Sequence, residues 1–102
     1  MKENKLNSVK NKAKCNTIEK IAKAISGETR IRILCLIAKQ ELNVGEIAET
    51  LNLTQSTTSL SLEKLLNEKL VTRRRKGKFV YYSANKKRIE EFLRLITQTF
   101  LK

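Results

Sequence analysis

A mainly α-helical domain carrying one small β-hairpin is the fold class this sequence predicts, and three observations predict it. Residues 54–61 read as a polar helix start, Thr54-Gln55-Ser56-Thr57-Thr58-Ser59-Leu60-Ser61, which runs on into an apolar stripe through Leu62, Leu65 and Leu66. Residues 71–83 hold five cations and no anion, with Lys76-Gly77-Lys78 between two β-prone runs, the composition of a hairpin. The remaining segments repeat their apolar residues at helical spacing. A helix that is polar in its first turns and apolar later can enter a DNA major groove by its tip while its far end stays in a core. A hairpin without acids can lie along phosphates.

The elements follow in order. Residues 1–14 have no hydrophobic periodicity and read as a basic, flexible arm or frayed helix start, ahead of a domain over residues 15–102. Asn16-Thr17 is placed to cap a first helix with Ile18, Ile21, Ala22 and Ile25 on one face, ending at Ser26-Gly27. Thr29 begins a second, with Ile33, Leu34, Ile37 and Ala38 inward. Asn43 with Glu46 is a capping-box pattern for a short third helix carrying Val44, Ile47, Ala48 and Leu51. Asn52-Leu53-Thr54 is a tight turn whose threonine caps the fourth helix. Strands near 70–75 and 79–83 flank the hairpin turn, and Asn85 caps a last helix carrying Ile89, Phe92, Leu93, Ile96 and Phe100. The order is α-α-α-α-β-β-α, that of a winged helix-turn-helix. There is no proline, so glycine, Asn, Ser or charge must make every break.

Composition narrows the function. At 102 residues the chain is one domain, near the size at which a dimer interface adds useful stability. Hydrophobic residues at 40% argue against disorder. No apolar run approaches the roughly 20 residues that span a bilayer. The Lys- and Asn-rich start lacks an apolar segment, so no signal peptide and a cytoplasmic, nucleoid-associated address are expected. The net charge of +12 is concentrated: residues 1–14 carry +4, residues 15–69 balance, and residues 70–87 carry +7 without an acid. A neutral body with two basic patches is the footprint of a polyanion binder, whereas a merely solubilising charge would be scattered. Membrane-surface binding needs a basic amphipathic helix, and here the basic run falls on a hairpin. Catalysis has little support, because there is no histidine and no glycine-rich nucleotide loop. No cofactor is expected.

Candidate groups follow from these placements. Gln55, Ser56, Thr57, Ser59 and Ser61 are candidates for base edges and flanking phosphates, with Leu60 near enough to meet a thymine methyl. Thr54 fits a capping role better. Arg73, Arg74, Arg75, Lys76 and Lys78 are the candidate phosphate contacts. Ile18, Ile21, Ile25, Phe92, Ile96 and Phe100 either complete the monomer core or form a dimer seam. The seam is the favoured reading, since helix-turn-helix proteins usually read two-fold half-sites. Cys15 and Cys35 are the only sensor candidates. Two cysteines in a cytosolic chain seldom make a structural disulfide, and Cys35 lies in an apolar run where an ordinary buried thiol fits. No metal site is expected from two cysteines without the spacing of a zinc motif.

Several of these segments resemble the ArsR/SmtB-type bacterial repressors. Residues 24–34, Ala-Ile-Ser-Gly-Glu-Thr-Arg-Ile-Arg-Ile-Leu, look like the family's opening "A-L-x-(D/N/H)-x-x-R-x-x-I-L". Residues 41–48 look like its "E-L-x-V-x-E-L-A" helix, residues 54–59 like its "S-Q-S-T-V-S" recognition start, and residues 79–83 like its second wing strand. The resemblance spans about residues 17–101 and implies a homodimer through the first and last helices, repression at an inverted-repeat operator, and release by a chemical signal. The family's metal-binding "C-x-C" falls on Asn43 and Gly45, and its histidine-rich recognition ending on Ser59-Leu60-Ser61-Leu62. Cys35 matches the position used by the redox and persulfide-sensing branch, which includes regulators of hemolysin and sulfide-oxidation genes. That branch's partner cysteine falls on Leu101, which leaves Cys15 as the substitute. Three alternatives stay open: a non-sensing DNA-binding regulator with structural cysteines, a thiolate metal sensor, and an enzyme or adaptor using the fold for protein contacts.

Overall fold

A computed structural model describes the backbone over residues 2–102 and the side chains over residues 12–102. The elements are α1 (Lys2–Ile25), α2 (Glu28–Ile37), β1 (Leu42–Asn43), α3 (Val44–Leu51), α4 (Gln55–Asn67), β2 (Val71–Lys76), β3 (Phe79–Ala84) and α5 (Lys86–Phe100). The three strands form one antiparallel sheet in the order β1-β3-β2.

Two elements depart from the expected order. Helix α1 starts at Lys2, so the backbone is helical through the stretch read as an arm; the side chains of Lys2, Lys5 and Lys10 lie outside the described residues. The physical reason is propagation. Once the apolar face of Ile18, Ile21 and Ile25 docks, each further residue adds a hydrogen bond without a new nucleation cost, and no glycine or proline interrupts. Asn16 and Thr17 are therefore interior rather than capping, and the Thr17 hydroxyl donates back to the Ala13 carbonyl at 3.1 Å. The second departure is β1. Its two residues pair Leu42 with Tyr82 and Asn43 with Tyr81, closing the base of the wing.

The remaining boundaries follow local chemistry. Asn43 Oδ1 accepts from the Glu46 amide at 2.8 Å while the Glu46 carboxylate accepts from the Asn43 amide at 2.9 Å, a complete capping box for α3. Asn52 ends α3 in the left-handed region, at φ 57, a conformation in which Asn is enriched among non-glycine residues. Thr54 Oγ1 then accepts from the Thr57 amide at 3.0 Å and starts α4. Between β2 and β3 the turn is Gly77-Lys78, with Gly77 at φ +65 and Lys76 paired to Phe79, the two-residue connection that suits strand twist.

Almost every element sends side chains into one core. Ile21 comes from α1, Ile33 and Ile37 from α2, Ile47 from α3, Leu62 and Leu65 from α4, and Leu70, Val71 and Tyr82 from the wing and its approach. Ile21 is fully buried within the subunit, which corrects its assignment to a dimer seam. It occupies the turn where α1 meets the body, so the monomer core claims it first. Helix α5 buries none of its residues; Ile89 and Phe92 pack partly against the core.

The two faces of α4 should respond differently to truncation. Leu65 is 0% exposed and Leu60 is 58% exposed. Leu65→Ala is expected to cost about 2–5 kcal/mol in urea unfolding, whereas Leu60→Ala should stay within about 0.5 kcal/mol. Equal losses would place the core on the wrong face of the helix.

Candidate nucleic-acid interface

The first turns of α4 sort by helical spacing. Gln55, Ser56, Thr57, Ser59 and Leu60 are exposed, while Thr58, Ser61, Leu62 and Leu65 are buried on the opposite stripe. Ser61 is 8% exposed, so its assignment to the base-reading face is corrected. It lies three residues beyond Thr58 and one before Leu62, and that phase turns it inward. Thr58 satisfies its hydroxyl by donating to the Thr54 carbonyl at 2.9 Å. Thr57 Oγ1 accepts from Thr54 Oγ1 at 2.9 Å and keeps its own proton to donate outward. The exposed tip thus offers a carboxamide, three hydroxyls and one leucine.

The wing stands beside this tip. A cleft of about 270 Å³ opens between the start of α3, the start of α4 and the end of the hairpin, lined by Asn43, Val44, Gly45, Gln55, Lys78, Phe79 and Val80. Lys78 Nζ sits 5.7 Å over the Phe79 ring, and Phe79 meets Tyr81 edge-on at 6.4 Å, so cation and aromatics brace one another at the wing tip. Strand register divides the cations. Residues directly opposite share a face, so Arg73 and Arg75 lie with Tyr82 and Val80, whereas Arg74 and Lys76 lie with Tyr81 and Phe79.

Arg74 differs from its neighbours. Its Nε and Nη2 donate to the two carboxylate oxygens of Glu41 at 2.6 and 2.7 Å, a bidentate pair across 33 residues of sequence. The hydrogen bond from Arg74 holds the Glu41 carboxyl below its ordinary range, and Glu41 in turn raises the Arg74 guanidinium. Arg73, Arg75, Lys76 and Lys78 are exposed. A second cleft, about 300 Å³, gathers Lys20, Lys23, Arg30 and Lys64 near Glu68. There Arg30 is committed to the carbonyls of Ala24, Ser26 and Lys23 at 2.5, 2.6 and 3.1 Å, closing the end of α1.

Both cysteines are free and exposed. The apolar run around Cys35 buries Ile33, Leu34 and Ile37 and leaves the thiol outside, which removes the alternative of an ordinary buried thiol. Ile31, one turn earlier, is also 42% exposed. Of the seam candidates other than Ile21, Ile18, Ile25, Phe92 and Ile96 are half-buried, and Phe100 is exposed. Leu93, which the seam list omitted, joins Ile96 and Phe100 in one stripe at spacings of three and four residues. Among the described residues no cluster of three or more metal-ligating side chains forms, and no helix is long and apolar enough to cross a membrane.

Comparison with known proteins agrees with this geometry. Residues 27–73 match the family model described as the bacterial regulatory protein, arsR family. The transcriptional activator HlyU of Vibrio cholerae is 32% identical over 80 residues, covering 78% of this chain and 74% of that protein. The structure of reduced HlyU superposes with a TM-score of 0.69 at 30% identity, over 94% of this chain and 98% of that one. The transcriptional repressor SdpR of Bacillus subtilis is 38% identical over 65 residues, 64% of this chain and 72% of that protein. A homodimeric winged helix-turn-helix DNA-binding domain from Mycobacterium bovis, a possible ArsR-family regulator, superposes with a TM-score of 0.71 at 27% identity over 87% and 85% of the two chains. With the polar tip of α4 set beside a cationic wing, these matches place the chain in the arsR family of bacterial regulatory proteins, DNA-binding transcriptional regulators of winged helix-turn-helix fold.

Proposed function

We propose that the chain is a homodimeric transcriptional repressor that acts inside the cell on nucleoid DNA and reads an inverted repeat. The observation that carries the reading is the exposed tip of α4, where Gln55 lines the wing cleft and Ser56, Thr57 and Ser59 are exposed on the same first turns. The tip enters the major groove, with Gln55 suited to an adenine edge and the hydroxyls to either base or a phosphate. The wing cations lie on adjacent backbone and supply affinity without sequence preference. Gln55→Ala or Ser59→Ala should cost about 1–3 kcal/mol on the operator and leave binding to random duplex nearly intact. Normal operator binding by both variants would mean that another face reads the bases.

The dimer uses the unpartnered stripe of α5, together with the half-buried Ile18 and Ile25 of α1. Leu93, Phe100 and Leu101 are 59, 64 and 74% exposed in the single subunit, an apolar surface that a second copy covers. Phe100→Asp puts an unpaired charge in that seam. Sedimentation at micromolar concentration should show monomers for this variant, still folded because Phe100 lies outside the core. A persistent dimer would move the interface elsewhere.

Release from the operator follows modification of Cys35. A polysulfide transfers one sulfur to the thiolate, giving Cys–S–SH and a polysulfide shortened by one atom. A peroxide-class oxidant instead removes two electrons and two protons from a pair of thiols to make a disulfide. Either route proceeds through the thiolate of this exposed sulfur. Because the thiol is exposed, one subunit accommodates the added sulfur without repacking. The effect on DNA therefore runs through the arrangement of subunits, or through a link to Cys15. Polysulfide or oxidant should release the wild type and reductant restore it, in a gel-shift or anisotropy assay. Cys35→Ser should stay bound throughout, and Cys15→Ser reports whether a Cys15–Cys35 link is required. If Cys35→Ser dissociates as the wild type does, the signal acts at a site other than Cys35; if the wild type itself is not released, the chain is a regulator set by its concentration alone.

A further inference from the structure

We propose that Glu41 is an intramolecular competitor for the DNA backbone, holding Arg74 so that the wing engages phosphates with one cation fewer than its sequence supplies. The inference rests on the reading of the wing as a phosphate-binding element. Sheet order places β3 between β1 and β2, so the Arg74 side chain crosses the middle strand to reach the residue just before β1. There the Nε–Nη2 edge of the guanidinium is taken by both carboxylate oxygens, at 2.6 and 2.7 Å. A phosphate that takes this edge has to displace the carboxylate. One that approaches the Nη1 end meets a cation whose charge the adjacent Glu41 carboxylate already offsets, and that carboxylate repels it. Among the described residues no comparable acid partner is found for Arg73, Arg75, Lys76 or Lys78.

The pair is exposed, with Arg74 at 59% and Glu41 at 30%, so as a fastener it contributes little. Its consequence lies in charge counting. Phosphate contacts carry the sequence-independent part of affinity, and base contacts carry the discrimination. Withholding one cation lowers binding to every duplex alike, which leaves the Gln55 and Ser59 contacts a larger share of the total. Glu41 is thereby a residue that sets how tightly the chain holds any duplex, while the base contacts still set the operator-to-random ratio.

Fluorescence anisotropy of the full chain on a random-sequence duplex, over a salt series, tests this. Each phosphate contact contributes about 0.9 to the slope of log K against log salt. Arg73→Ala should flatten the slope by about that amount, and Arg74→Ala should leave it at the wild-type value. Glu41→Gln should steepen it by about 0.9 and tighten binding roughly fivefold to tenfold at 0.1 M salt, a gain that adding Arg74→Ala removes. The inference is overturned if Arg74→Ala flattens the slope as Arg73→Ala does, or if Glu41→Gln leaves it unchanged. Absence of salt dependence in the wild type would instead sink the phosphate-binding role of the wing. Thermal unfolding of each variant separates these results from loss of fold, since Glu41 and Arg74 lie outside the core.

Discussion

Helix α4 is held by one stripe, Thr58, Ser61, Leu62 and Leu65, and the other features of the interface are arranged around that attachment. A helix gripped all round could not enter a groove, and one gripped at neither face would not hold a direction. Here the grip uses two apolar side chains deep in the core and two short polar ones nearer the tip. Thr58 is fully buried yet hydrogen-bonded within its own helix, so the grip reaches close to the tip without an unsatisfied group. The exposed residues between these anchors inherit fixed positions from them. That rigidity is what the proposed reading of base edges by a carboxamide and a few hydroxyls requires.

The wing obeys a related economy. Its inner end is pinned by Val71 and Tyr82 in the core and by β1 at its side, and its outer end extends beyond them. Beyond that anchor the hairpin has little apolar burial of its own, so its shape depends on register, a two-residue turn and contacts along its faces. Phe79, Tyr81 and Lys78 brace the tip, Thr72 and Ser83 meet at 3.2 Å across the strands, and Arg74 ties the middle to Glu41. Cations used as braces are not all available as phosphate contacts. The charge of the wing and its stiffness therefore draw on the same side chains.

What the sequence disclosed was local. The caps at Asn43, Thr54 and Asn85, the glycine turn and the apolar phases of α2, α3 and α4 are written in residues three or four apart, and the structure reproduces them. Features that depend on distant partners were not legible. Strand β1 has two residues and no periodicity to read. The extension of α1 depends on docking further along the helix. The Glu41–Arg74 pair joins residues with no local relation. Ser61 was misplaced, and the side Cys35 faces was left open, for a different reason: each sits in a run of like residues, and a run conceals the phase that decides which member faces inward. Ile21 shows the limit of pattern alone, since a helical stripe gives the face that is buried and not the surface that buries it.

The junction between α4 and α5 carries the argument from subunit contact to groove. Asn85 caps α5 through its Oδ1 and with its Nδ2 donates to the Lys69 carbonyl at 2.8 Å. Lys69 is itself in the left-handed region just past α4, at φ 62, a conformation this hydrogen bond helps to hold. Arg88 Nε donates to the Glu68 carbonyl at 3.0 Å while its Nη1 holds Glu91 at 2.8 Å, so one guanidinium joins the end of the fourth helix to the first turns of the fifth. The Glu68 carbonyl belongs to the unsatisfied end of α4, and a cation there also complements the helix dipole. The first turn of α5 is thus fastened to α4 by polar groups, while the rest of α5 presents its apolar stripe away from the core. A displacement of α5 imposed by a second subunit has a short, directional path to α4. Helix α5 also packs along α1, which the close-packed contacts around Ile21 tie to the same core. Asn85 and Arg88 are therefore the polar fastening between the helix that carries the proposed seam and the end of the proposed recognition helix.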